Sequence, residues 1–359
     1  MSVSFQAKTD FGRELNRRVR AFVAEQDQGA LRRKYIAKYV VIAAWFLTSY
    51  IGLVFYAQTA LQAFGLCLSL GMAMAGIGFA VMHTANHGAL PFGPRVSRAL
   101  GWTLDVLGAS SYIWRFKHNV AHHTYTNIDG KDGDLEAGKL GRLSPCQTWR
   151  PMHRYQHIYL WPLYSLSAVN WILISDWFSI AKCQNKFQAF PAPKGAEKVL
   201  LWGGKAAAFT LWFGIPLLVR PWWQVLAFSI FTMMILGFVL AIVFQLAHVV
   251  DDLEFMEPPA SGKMDTDWIA HQLATTANFA PNNRLLCWYL GGLNYQVEHH
   301  LFSSIPDLYY SQLAPIVEQT CREYGMRYHS YPTFGEALAA HGRTLRDLGR
   351  APERAPALA

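Results

Sequence analysis

The sequence predicts an all-α integral membrane protein: four transmembrane helices carrying a cytoplasmic helical cap. Two observations lead there. Only 16% of the 359 residues are charged and 52% are hydrophobic, with a mean hydropathy of +0.11, whereas ordinary globular chains carry about 25% charged residues. The 44 residues from Tyr39 to Met82 contain no charge, about twice the ~20 that one helix needs to cross a bilayer. The same composition excludes a disordered chain, a coiled coil and a disulfide scaffold.

The elements follow in order. Residues 1–38 form a basic cytoplasmic segment that includes Lys8, Arg13, Arg17, Arg18, Arg20, Arg32, Arg33, Lys34 and Lys38. The uncharged run divides into spans at about 39–57 and 62–82, around a turn at Gln58–Gln62. A second pair is expected at about 199–219 and 223–247, with Arg220-Pro221 as its turn. Lys205 is the one charge inside this pair and is expected to snorkel toward the head groups. Two further apolar stretches, Ala99–Trp114 and Ile158–Ser175, have basic residues on both flanks. Both ends of each then belong on one side, so they are expected to be interfacial or partly buried helices lying along the cytoplasmic face. The membrane domain thus runs over 39–325. Residues 326–359 form a cytoplasmic tail whose last part, 351–359, is expected to be loose. The two hairpin turns carry only Arg220, so the positive-inside rule places both termini in the cytoplasm. The polar, basic N terminus is not a signal peptide.

The formal net charge of +8 would suggest nucleic acid in a soluble chain. Here the cations flank spans and face anionic membrane lipid, so no nucleic-acid partner is expected. The five cysteines are odd in number and lack CxxC spacing, which reads as free thiols in a reducing compartment.

Seven of the 13 histidines fall in three clusters: His83-Thr-Ala-Asn-His87, His118-Asn-Val-Ala-His122-His123, and Gln296-Val-Glu-His299-His300. Residues four apart share a helix face. His83 with His87, and His118 with His122, can therefore address one ion, while His123, about 100° further round, can reach a second. Gln296 sits one turn before His299 and His300. No span separates the first two clusters and two spans separate the second from the third, so all three meet on the cytoplasmic side if 158–175 does not cross. So many imidazoles exceed the four ligands of one zinc. They suit two transition ions of higher coordination, iron if the chemistry involves oxygen. His248 ends the fourth span in Gln245-Leu-Ala-His248 and joins the candidates. His153 and His157 repeat the spacing, but no third ligand adjoins them, so they read as structural. His271 is left outside the site, and His329 and His341 are expected to be solvated.

These clusters resemble the three histidine boxes of the membrane fatty acid desaturases. The resemblance covers about residues 35–325 and extends to His122-His123-Thr-Tyr-Thr-Asn127, Asp267-Trp268 and Gly291-Gly-Leu-Asn-Tyr-Gln-Val-Glu-His-His-Leu-Phe302. Gln296, where many members carry His, looks like the front-end, or linoleoyl-CoA desaturase-like, branch. The resemblance implies a cytoplasmic di-iron centre held by His83, His87, His118, His122, His123, His248, Gln296, His299 and His300. It implies O₂ and external electrons as co-substrates, and a cis double bond introduced into a long-chain fatty acyl group of an acyl-CoA or a phospholipid. The membrane would be a bacterial inner membrane or, in a eukaryote, the endoplasmic reticulum.

The His-Pro-Gly-Gly string of the fused cytochrome b5 domain found in many members is absent. The first 38 residues are too few for such a domain, so a separate ferredoxin or cytochrome b5 with its reductase is expected to supply electrons. Arg115 and Lys117, just before the second box, are candidates for binding CoA phosphates or a lipid head group. The loop Asp129–Asp134 lacks the full spacing and closing Glu of a calcium loop and is read as shaping the cap. A membrane hydroxylase acting on an alkane, carotenoid or sphingolipid is the alternative enzyme. A metal transporter would line its spans with the histidines, whereas these lie at or beyond span ends.

Overall fold

The structure, a computed structural model, describes residues 3–351. The rest of the tail expected to be loose lies outside the described residues.

Four helices are long and apolar enough to cross a membrane: Gln28–Tyr56, Ala60–Asn86, Gly195–Leu217 and Trp222–His248. They carry the expected apolar runs and extend them at the ends away from the hairpin turns. The first starts eleven residues earlier than hydropathy suggests, because Asp27 caps it by accepting from the amides of Gly29 and Ala30. Its charged opening turns are helical without being apolar. The second span opens on a capping box between Thr59 and Gln62. On the outer faces Val40, Leu47, Leu61, Phe64, Phe209 and Leu218 are exposed, as lipid-facing positions should be. On the inner faces Ile42, Phe46, Leu70, Met74, Leu236 and Val243 form the core.

The two apolar stretches expected to be interfacial or partly buried pack against the spans, and the second reaches the middle of one. Helices Pro151–Tyr164 and Leu166–Lys182 meet at a 67° bend. The elbow sits against Gly237, midway along the fourth span, where a Cβ would stand 2.6 Å from the Ser165 carbonyl oxygen. Ser167 Oγ donates to the Gly237 carbonyl at 3.0 Å. The other stretch forms Pro94–Gly101 and Thr103–Leu107 and then turns at Gly108, φ +113°. Trp102 Nε1 donates to the Leu200 carbonyl at 2.9 Å and Trp212 Nε1 to the Val106 carbonyl at 3.3 Å. Both stretches are helix pairs packed against the third or fourth span.

That packing also overturns the expectation for Lys205. It does not snorkel: its side chain is buried midway along the third span, ion-paired with Asp176, and it donates to the Gly108 carbonyl at 2.8 Å. A buried charge needs such a partner. Lys38 likewise turns inward, with Nζ 3.6 Å from Asp307, whose carboxylate also accepts from Tyr35 and Thr84.

The chain ends are stapled to the cap by two short parallel ladders, Ser4–Gln6 with Lys263–Asp267 and Ala277–Phe279 with His329–Tyr331. They are the exceptions to a mainly helical fold. Residues 334–348 form a helix whose apolar face, including Ala337, Ala340 and Leu345, is buried. His341 lies on that face. Expected to be solvated, it is fully buried, with Nδ1 donating to the Val249 carbonyl at 2.6 Å and Nε2 2.9 Å from the Tyr164 hydroxyl. His329, on the short ladder, is half-buried. All five cysteines are free.

Candidate metal centre

Three elements and one span end deliver the histidines. The first box closes the second span, wound as a π-helix over Gly78–His83. The second lies on the helical run 111–125, also π-wound over Arg115–His122, where the His123 amide donates to the His118 carbonyl. Winding by i→i+5 bonds brings residues five apart toward one face. His123 therefore stands beside His118, with Nε2 atoms 3.2 Å apart, instead of turning away as α-helical geometry predicts.

The third box is the helix Gln296–Leu301, pinned by Asn278, which accepts from the Val297 amide at 2.8 Å and donates to Glu298 at 2.8 Å. It reaches the first box because Gly291, φ +61°, lies against the second span. A Cβ there would stand 2.7 Å from Ala80 Cα, so only glycine allows this approach.

The eight candidate histidines converge. His83, His87, His118 and His299 offer nitrogens within 4.8 Å of one another, as do His122, His248 and His300. His123 groups with His299 and His300 and so joins the two sets. Seven of the eight are buried and His87 is half-buried. Gln296 opens the third-box helix and is buried as well.

The donor set fits two metal ions. His87 Nε2, His122 Nε2, His123 Nδ1, His248 Nε2, His299 Nε2 and His300 Nε2 are buried without a hydrogen-bond partner. An orphaned buried polar atom costs about 1–3 kcal/mol, and an ion between the rings removes that cost. Several opposite nitrogens are held. His122 Nδ1 is 3.0 Å from Asp132, His248 Nδ1 3.2 Å from the Thr275 carbonyl, His299 Nδ1 3.3 Å from the Tyr310 hydroxyl and His300 Nδ1 2.8 Å from Gln272 Oε1. Such contacts set the tautomer and aim the free nitrogen at the metal.

Burial, with the neighbouring imidazoles, holds His87, His118, His123, His299 and His300 well below the usual histidine pKa. Neutral imidazole is the ligating form. For His122 burial also opposes charge, but Asp132 and Asp134 outweigh it and raise the pKa.

The remaining candidates have other partners. Arg115 pairs with Glu197 at 2.9 Å, and Lys117 with Asp134 at 2.5 Å. Each cation expected to meet substrate thus already has an anionic partner. His153 is buried elsewhere, between the Arg150 amide and the Lys139 carbonyl. His271 binds the Thr126 carbonyl at 2.8 Å and stands outside both histidine sets. Sequence reasoning missed Asp132, Gln272 and Tyr310 as partners of the box histidines. Of these only Asp132 left a signal: it is a carboxylate ten residues after His122, in a loop with no calcium-binding pattern.

An integral membrane protein whose helices bring eight histidines into two adjoining metal-sized sets has the architecture of a membrane metalloenzyme. The family model described as fatty acid desaturase matches residues 59–332, and the chain belongs to that family. It is an oxidoreductase, a fatty acyl desaturase. It is 36% identical over 354 residues to the sn-1 linoleoyl-lipid 6-desaturase of Arthrospira platensis, covering 98% of this chain and 96% of that one. The enzyme of the same description from Synechocystis sp. (strain ATCC 27184 / PCC 6803 / Kazusa) is 37% identical over 357 residues, 97% of this chain and 98% of that one. An acyl-lipid (8-3)-desaturase of Physcomitrium patens is 34% identical over 324 residues, 88% of this chain and 66% of that one.

Proposed function

We propose that this enzyme is an O₂-dependent di-iron desaturase that introduces a cis double bond into a long-chain fatty acyl group of a membrane lipid. The observation that carries the reading is the pair of histidine sets, in which His87, His122, His248, His299 and His300 keep ring nitrogens without a partner and His83 and His118 bring their Nε2 atoms to 3.1 Å of each other. His83, His87, His118 and His299 would hold one iron, and His122, His248 and His300 the other. His123 would stand between them, with Gln296 as a further ligand. When bound, iron would supply the activation of O₂, and O₂ the oxidising power needed to remove hydrogen from unactivated methylenes.

The rest is the work of the chain. Neutral imidazoles hold the ions, and Trp114 covers one side of the first set, its ring stacked 4.4 Å from that of His118. The cap keeps water from the reacting carbons, and the spans orient an apolar chain against the site. The relatives named as lipid desaturases, and the paired state of Arg115 and Lys117, favour an acyl-lipid over an acyl-CoA.

Electrons are assigned to a separate ferredoxin or cytochrome b5 with its reductase, because the sequence carries no haem string and no Cys₄ cluster. The site is assigned to the cytoplasmic face, of a bacterial inner membrane or of the endoplasmic reticulum in a eukaryote. Reporter fusions after Gln58 and after Pro221 should then report the outside, and one after Lys186 the cytoplasm.

The reading is tested by expression in a desaturase-deficient host, with double-bond positions read in each lipid class. A new cis double bond in lipid-bound chains is expected. A hydroxylated product would reject desaturation, and a double bond appearing first in the acyl-CoA pool would move the substrate. Turnover by the purified protein with NADPH alone would remove the separate carrier.

A further inference from the structure

Resting on the two-iron reading, we propose that Asp132 is a positioning residue that makes the His122/His248/His300 subsite electronically distinct from its neighbour. Asp132 is buried to 1% exposure. Its Oδ2 accepts from His122 Nδ1 at 3.0 Å and from the Asn127 amide at 3.1 Å, and its Oδ1 accepts from the Asp134 amide at 2.9 Å. Asn127, at φ +57°, a left-handed conformation that Asn tolerates better than most residues, then turns its own side chain to the fourth span. There Nδ2 donates to the carbonyl of His248 at 2.9 Å and of Glu254 at 3.2 Å. One carboxylate thus holds the His122 ring directly and, through Asn127, the backbone at His248, whose ring is held by the Thr275 carbonyl. The third member, His300, is held by the neutral oxygen of Gln272, which also accepts from Thr126 Oγ1 at 3.0 Å.

The neighbouring subsite has no equivalent. His299 is backed by a tyrosine hydroxyl at 3.3 Å. The carboxylate nearest His118 is Asp134, at 3.6 Å, and it is ion-paired with Lys117. A length of 3.6 Å is not a hydrogen bond. Among the described residues, Asp132 is the one carboxylate hydrogen-bonded to a box histidine.

A carboxylate on Nδ1–H fixes the tautomer and raises the basicity of Nε2. Carboxylate backing therefore makes His122 the strongest electron donor of the set, and its ion the more electron-rich of the two. The ion in turn supplies the positive charge that a fully buried carboxylate requires.

The test uses full-length protein in detergent, loaded with ⁵⁷Fe(II), with metal content read after dialysis against a chelator and the two irons resolved by Mössbauer spectroscopy. Asp132→Asn keeps an oxygen acceptor for His122 and removes the charge. It should retain one iron as wild type does, release the other about 10–100-fold more readily, and change one quadrupole doublet while leaving the other in place. Asp132→Glu restores the charge, and should keep both irons with a displaced second doublet. It carries the test alone if Asp132→Asn does not yield folded protein. Wild-type retention and wild-type spectra in whichever of these variants folds would overturn the proposal. Fewer than two irons in the wild-type protein would instead overturn the two-iron reading beneath it.

Discussion

The helical run 111–125 and the helix pair opening at Pro151 each present two histidines four residues apart. In the first, His118 and His122 meet histidines arriving from the second span, the fourth span and the Gln296–Leu301 helix, and His122 keeps an inward nitrogen free. In the second, the chain winds as a 3-10 helix over Pro151–Tyr155 and becomes α-helical only from Gln156. His153 spends both nitrogens on backbone groups, and neither it nor His157 belongs to a histidine set. Equal spacing therefore does not by itself put two histidines on one ion: even His118 and His122, expected to address the same ion, fall in different histidine sets. What separates the two regions is whether other parts of the fold bring further imidazoles to the same point.

The sharpest way to break this comparison is to remove ligands. Alanine at any one of His83, His87, His118, His122, His123, His299 or His300 should lower desaturation at least ~100-fold and reduce bound metal, since even outer partners of ligands cost about 10–100-fold. The checks are the host lipid profile and metal analysis of the purified variants. Full activity at normal protein levels in two of them would dissolve the shared site.

His153→Ala gives the converse. It leaves the Arg150 amide and the Lys139 carbonyl without their partner and should cost about 1–3 kcal/mol of stability, seen as a lower melting temperature, with metal content unchanged. Loss of metal equal to that of the box variants would erase the distinction.

The smallest effect concerns buried histidines that serve packing, represented by His341. Burial lowers its pKa from 6.5 to about 4. Above pH 6.5 the folded and unfolded forms are both neutral here. As pH falls from 6.5 toward 4 the unfolded chain takes up the proton first, so stability is lost, by at most about 1.4 kcal/mol per pH unit. Melting of metal-free wild-type protein should fall through that window, and His341→Gln should flatten the fall. An unchanged slope would show that His341 is not held neutral by the fold.

How much of this was legible follows the same division. Four spans, the turns between them and the histidine boxes are properties of local composition and spacing, and Tyr39–Met82 or His118–His123 display them without a structure. Family membership rides on the same strings. Other features depend on partners far away in sequence. Lys205 meets Asp176, Lys38 meets Asp307, and His341 meets Val249; hydropathy sees only a charge in an apolar run or a histidine in a polar one. The two inserted helix pairs read as interfacial or partly buried helices because basic flanks report on which side the ends lie, not how deep the middle goes.

The site divides the same way. The sequence by itself determined which histidines are available and that an even number of intervening spans brings them to one side. The tertiary structure decided how they are shared: the π-winding over Arg115–His122 turns His123 toward His118, Gly291 lets the third box lie against the second span, and Asp132 backs His122. Periodicity is a one-dimensional quantity and survives in the sequence. The partner that satisfies a buried polar atom is set by three-dimensional packing, which spacing along the chain does not encode.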